Sequence, residues 1–107
     1  MTTYANTSYV AKNVGTSAST LTTVSSGTIA VTSLVVANTT ASPITCDVYI
    51  TRSAVDYYIV KSATVPVGGS LEAIGGNRVV LIASDALKVV SSAASSADVV
   101  VSVLTVV

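Results

Sequence analysis

Turn-forming residues recur at short intervals along this chain, and the residues between them are strand formers. Gly15, Gly27, Asn38 to Pro43, Gly68-Gly69, Gly75-Gly76-Asn77, Ser84-Asp85 and Ser95-Ser96 punctuate the sequence. Between them Val, Thr, Ile and Tyr dominate, while Glu, Lys, Gln and Leu are scarce. Side chains branched at Cβ or aromatic fit a pleated, half-buried surface better than a helix. Short strands between regular turn signals predict a sandwich or barrel. The expected fold is all-β: a single antiparallel β-sandwich, jelly-roll or Ig-like, of about eight strands, with no substantial helix. Expected strands cover 8–14, 19–24, 28–37, 44–52, 56–65, 70–74, 78–83, 87–92 and 98–106. The 107 residues fit one domain. Residues 1–7, with Tyr4, are expected either as strand or as an N-terminal arm that orders against a neighbouring subunit.

One hairpin has a register that can be argued from charge. Strands 44–52 and 56–65 are separated by Ser53-Ala54-Val55. Placing Arg52 opposite Asp56 also places Asp47 opposite Lys61, two favourable cross-strand pairs. Cys46, Val48, Ile50, Tyr58 and Val60 then share a core face. Tyr49, Tyr57 and Ile59 cluster on the other, which needs a cover, either a neighbouring subunit or the chain's own N-terminal arm.

The last strand is apolar on both faces. Val99, Val101 and Val103 point one way, and Val100, Leu104 and Val106 the other. A strand buried on both sides reads like this, and exposed alone it would aggregate. The expected contact surface is therefore Tyr49, Tyr57 and Ile59 together with Val99, Val101, Val103 and Leu104.

Charge supports an assembled subunit. Charged residues make up only 9% of the chain, and five acids balance five bases. Ser and Thr occupy polar positions instead, giving a wettable surface with little self-repulsion. The start of the chain lacks a basic patch followed by an apolar stretch, which predicts a protein made and kept in a cytoplasm. Its apolar runs are too short for a spanning helix, so no membrane partner is expected.

Catalytic groups are sparse. The sequence has no histidine, which removes the commonest general base and metal ligand. Cys46 alternates with Val48 and Ile50 and reads as a buried, inert thiol. Asp47 and Asp56 have expected cross-strand partners. Asp85 and Asp98 sit where an aspartate caps its own turn, and Glu72 stands alone on a short strand. The five bases are scattered, so nucleic acid is not an expected partner. No catalytic residue, metal ligand or cofactor site is expected.

The C-terminal half carries a recognisable pattern. It runs Thr64-Val65-Pro66-Val67-Gly68-Gly69-Ser70-Leu71-Glu72, then Arg78-Val79-Val80-Leu81-Ile82-Ala83-Ser84-Asp85-Ala86-Leu87-Lys88-Val89. A Ser/Ala-rich loop over 91–97 leads to Asp98-Val99-Val100-Val101-Ser102-Val103-Leu104. This resembles small structural proteins of tailed-bacteriophage virions. The resemblance implies a non-enzymatic capsid decoration or cement protein that bridges neighbouring capsid subunits. Its alternatives are a neck, tail or baseplate accessory protein and a receptor-binding fibre module. The partners it implies are further copies of the chain, with a trimer favoured, and virion proteins such as the major capsid protein. The place it implies is the virion, assembled in a host cytoplasm.

Overall fold

A computed structural model describes residues 4–74 and 78–106. Those residues hold nine strands: β1 (Tyr4–Val14), β2 (Ser19–Thr23), β3 (Thr28–Asn38), β4 (Ile44–Arg52), β5 (Val55–Val65), β6 (Ser70–Glu72), β7 (Val79–Leu81), β8 (Ala86–Ser91) and β9 (Ala97–Val106). Every expected strand is present, with ends moved by a few residues. Residues 4–7 belong to β1 and pair with β9, from Tyr4 opposite Val106 to Thr7 opposite Val103. Residues 1–3 of the expected arm lie outside the described residues.

The strands form two antiparallel sheets. One has the order β1-β9-β3, with β6 and β7 both on the far side of β3. The other runs β2-β8-β4-β5. Counting β6 and β7 as one interrupted strand gives two four-stranded sheets that exchange the chain at nearly every connection. This is the jelly-roll arrangement, and it settles the choice between jelly-roll and Ig-like sandwich. The expected all-β sandwich is what the chain forms.

The core lies between the sheets and follows the period-two alternation of each strand. Ile29, Val31, Leu34 and Val36 from β3 meet Val99, Val101 and Val103 from β9. Cys46 and Val48 from β4 and Leu87 and Val89 from β8 close it from the other side. Branched residues do this with little loss of rotamer freedom, because strand packing already restricts χ1.

Three of the five acids serve one structural purpose. A β-bulge leaves a backbone N–H without its ladder partner. At the β1 bulge, Asn13 adopts φ 55°, and its N–H donates to Asp98 Oδ1 at 3.0 Å. At a β5 bulge, Ser62 adopts φ 53°, and its N–H donates to Asp47 Oδ1 at 2.7 Å. At the β3 bulge, Leu34 N–H and Ser33 Oγ donate to the Glu72 carboxylate at 2.9 and 2.7 Å. Glu72 is therefore engaged rather than alone, and Asp98 braces β1 rather than its own turn. The Asn13 N–H and, after it, the nearby Lys12 ammonium hold the Asp98 carboxyl below the usual carboxylate range.

The β4–β5 hairpin forms, with a different register from the one expected. Arg52 lies opposite Val55, Thr51 opposite Asp56 and Tyr49 opposite Tyr58, but Val48 lies opposite Val60. Ile59 is thus an extra residue on β5. It shifts the pairing by one and exchanges the faces of Tyr57 and Tyr58. Tyr58 joins Tyr49, and Tyr57 takes the side of Ile50. The Lys61–Asp47 ion pair forms at 3.3 Å. Arg52 turns instead to Asp85, and Asp56 accepts a hydrogen bond from Thr51 Oγ1 at 2.8 Å.

The turn of this hairpin carries a local cost. Ser53 and Ala54 both have positive φ, 54° and 63°. That is the type I′ turn, which favours Asn-Gly because a Cβ crowds the backbone in this region. Replacing Ser53-Ala54 with Asn-Gly is expected to stabilise the protein by about 1 kcal/mol, after allowing for the extra freedom glycine gives the unfolded chain. A urea midpoint that rises with an unchanged slope would show it.

Candidate functional site: the outer face of the β1-β9-β3 sheet

Among the described residues, one sheet face is apolar yet uncovered. On the β1-β9-β3 sheet, odd positions of β9 enter the core and even positions face outward. The register aligns the outward residues in rows across the strands. Val10, Val100 and Val35 form one row, ending on Glu72 of β6. Asn6, Leu104, Ala30 and Val80 form another. Between them lies a row of hydroxyls, Ser8, Ser102 and Ser33. Val10 is 73% exposed, Val80 50% and Val100 48%. Tyr4, opposite Val106, is 64% exposed and extends the patch to the end of the sheet. The two apolar rows and the hydroxyl row contain one carboxylate, Glu72, at their margin. Exposed apolar rows grouped on one sheet face, here on either side of a hydroxyl row, mark an interaction site.

The expected contact residues fall in different places. Val99, Val101 and Val103 are 1%, 0% and 2% exposed and form the core, so they are not surface residues. This corrects the sequence reading: the apolar strand β9 is buried on one face by the opposite sheet. Only its other face, with Val100 and Leu104, looks outward. Tyr49 is also buried, at 8%, because the Tyr58 ring covers it with centroids 5.1 Å apart and planes at 44°. Tyr57 is exposed on the opposite side of the hairpin, and Ile59 is half-buried at the bulge. The expected tyrosine cluster therefore does not form from Tyr49, Tyr57 and Ile59. Leu104 alone of the expected set lies on the outer face, in one row with Ala30 and Val80 and across the hydroxyl row from Val100 and Val10. Val10 and Val80 went unrecognised because only the pairing of β1 with β9 sets Val10 opposite Val100, and only the pairing of β7 with β3 sets Val80 in the row of Leu104.

Chemistry elsewhere is structural. Arg52 donates to both oxygens of Asp85, from Nε at 2.8 Å and from the guanidinium NH₂ at 2.6 Å. Asp85 also accepts the Ile82 N–H at 2.9 Å, so it caps its own turn as expected. The Arg52 guanidinium holds the Asp85 carboxyl below the usual carboxylate range, aided by the Ile82 N–H. Cys46 is 1% exposed, and burial, with the charge of Asp47 after it, pushes its thiol pKa up. Among the described residues no three His, Cys, Asp or Glu side chains converge as a metal site. A shallow hollow of about 150 Å³ beside Asp47 is lined by Thr45, Ser62, Val90, Ser91 and Ser92. Another of about 240 Å³ lies between the sheet ends at Tyr9, Val24, Thr28 and Thr105. Neither brings charged groups together.

Comparison with known proteins places the fold. No family model matches the sequence, and no curated protein matches it. Among solved structures the chain is similar to one described as "Bacillus endospore appendages form a novel family of disulfide-linked pili". The match has a TM-score of 0.58 at 14% identity and covers 98% of this chain and 89% of that one. It overturns the expected role as a phage capsid decoration or cement protein, with its neck, tail and fibre alternatives. The pattern that suggested those roles, Val, Gly and Ser at strand and turn positions, suits the strands and turns of β proteins in general and carries no function of its own. The structure similar to this chain belongs to a bacterial appendage.

Proposed function

We propose that this protein is a non-catalytic structural subunit that assembles with copies of itself into a pilus-like polymer. The observation that carries this reading is the bare apolar face of the β1-β9-β3 sheet on a jelly roll shared, over nearly its whole length, with a pilus protein. A chain of zero net charge, with 9% charged residues, adds little long-range repulsion between copies.

The assembly differs chemically from the disulfide-linked pili of the similar structure. Cys46 is the only cysteine in the sequence and is buried in the core. A thiol that is both buried and raised in pKa is a poor nucleophile for exchange. The polymer is therefore held by packing and hydrogen bonds. Sedimentation velocity and negative-stain microscopy over a concentration series test this. Assemblies are expected to form and to persist under reductant. Val10→Asp with Val100→Asp changes two exposed positions, so the double variant should melt like the parent but assemble at least about tenfold more weakly. A parent that stays monomeric at every concentration would end the reading.

A further inference from the structure

We infer that the free edge of β1 is the place where a second copy adds, strand to strand, about a two-fold axis at Thr7. This rests on the self-assembly proposed above and names one of its contacts: a two-fold joint closes on a dimer, so growth of a polymer from that dimer takes a second contact, for which the outer apolar rows are available. β1 pairs with β9 on one side, and among the described residues nothing pairs with its other side. A free edge presents unmade backbone hydrogen bonds to another strand.

The edges of this protein are not equally open. On the other sheet, β5 carries two irregularities of register and the charges of Asp56 and Lys61. Bulges and charges are how natural sheets close an edge to strangers. β2 has five residues and an irregularity of its own, and β6 and β7 have three each. β1 differs. From Tyr4 to Ala11 its pairing with β9 runs without a break, and the segment contains no charge, proline or glycine. Residues 4–8 are exposed on both faces of the sheet, so nothing among the described residues blocks an approaching strand.

The segment also complements itself. In an antiparallel pair of β1 strands with Thr7 on the axis, outward residues meet outward ones and inward residues meet inward ones. Tyr4 then faces Val10 of the second copy, Ala5 faces Tyr9, Asn6 faces Ser8 and Thr7 faces Thr7. Aromatic with β-branched, as Tyr4 with Val10, and Thr with Thr are favoured cross-strand combinations. No like charges are opposed. Because the outward rows keep their faces, the apolar row of Val35, Val100 and Val10 runs on into Tyr4 and Val106 of the second copy, with Asn6 and Ser8 meeting between the two such rows.

Two substitutions at Thr7 test the axis. Thr7→Cys places two thiols across it, and with native Cys46 buried, mild oxidation or a short bis-maleimide should give a covalent dimer. Thr7→Lys places two ammonium groups there and should weaken dimerisation at least about tenfold, with melting of the protomer unchanged. Tyr57→Lys, on the β5 edge, should leave dimerisation as in the parent. If the parent assembles but Thr7→Cys gives no cross-link and Thr7→Lys assembles normally, the β1 contact is refuted while self-assembly stands. Tyr57→Lys and Thr7→Lys weakening assembly together would instead show a head-to-tail β1–β5 joint and refute the two-fold axis. A monomeric parent refutes both.

Discussion

Val101→Asp is expected to leave no folded protein at room temperature. Val101 lies at the centre of β9, opposite Tyr9 of β1 on one side and Leu34 of β3 on the other, and is 0% exposed. A carboxylate there has no partner and no water. Burying an unpaired charge costs more than about 5 kcal/mol, which is the lower end of a small domain's whole stability. Circular dichroism and a urea titration should find no cooperative transition. The neighbouring substitution Val100→Asp should have the opposite character. Its side chain is 48% exposed and already meets solvent, so the protein should fold. Should Val101→Asp fold with near-parental stability, β9 would not be the central strand described here.

Asp85→Ala should be the most damaging change among the charged residues. Asp85 is 1% exposed and holds three donors, two from Arg52 and the Ile82 N–H. Removing it releases the β4–β5 hairpin from the turn before β8 and leaves a half-buried N–H unpaired. Arg52, 43% exposed, can return to water, which limits the damage. The expected loss is about 2–4 kcal/mol, read as a lower urea midpoint. The pH dependence follows from the depressed Asp85 carboxyl. A folded pKa below the unfolded one gives stability that is present above the ordinary carboxylate range, near ~4, and is lost as pH falls through the folded value. Asp98 adds in the same direction. Asp85→Asn should therefore flatten the acid side of the stability curve. A variant with the parental acid profile would remove Asp85 from this role.

The two experiments also divide the molecule into what its sequence shows locally and what it does not. Strand positions are legible because turn residues and branched side chains act within a few residues of themselves. Thus Gly27 and the Asn38-to-Pro43 stretch bracket β3 closely. The burial of Cys46 follows from its alternation with Val48. The capping of the 82–85 turn by Asp85 is equally local.

Other features depend on contacts distant in the chain. Period-two alternation marks two faces of β9 equally well, and only the opposite sheet makes Val99, Val101 and Val103 core and leaves Val100 and Leu104 outside. A single extra residue, Ile59, moves Tyr58 to Tyr49 and Tyr57 away from it, and no rule of cross-strand charge reveals where a bulge falls. Arg52 has two carboxylates within the reach of its sequence pattern, Asp56 and Asp85, and the burial of Asp85 decides between them. The chain by itself determined that it would be a β-sandwich of short strands with an inert thiol and little charge, since those follow from residue type and spacing. The tertiary structure decided the jelly-roll order, the three bulges held by carboxylates, and the bare outer face with its open β1 edge. Each of these is set by hydrogen bonds and packing between segments tens of residues apart.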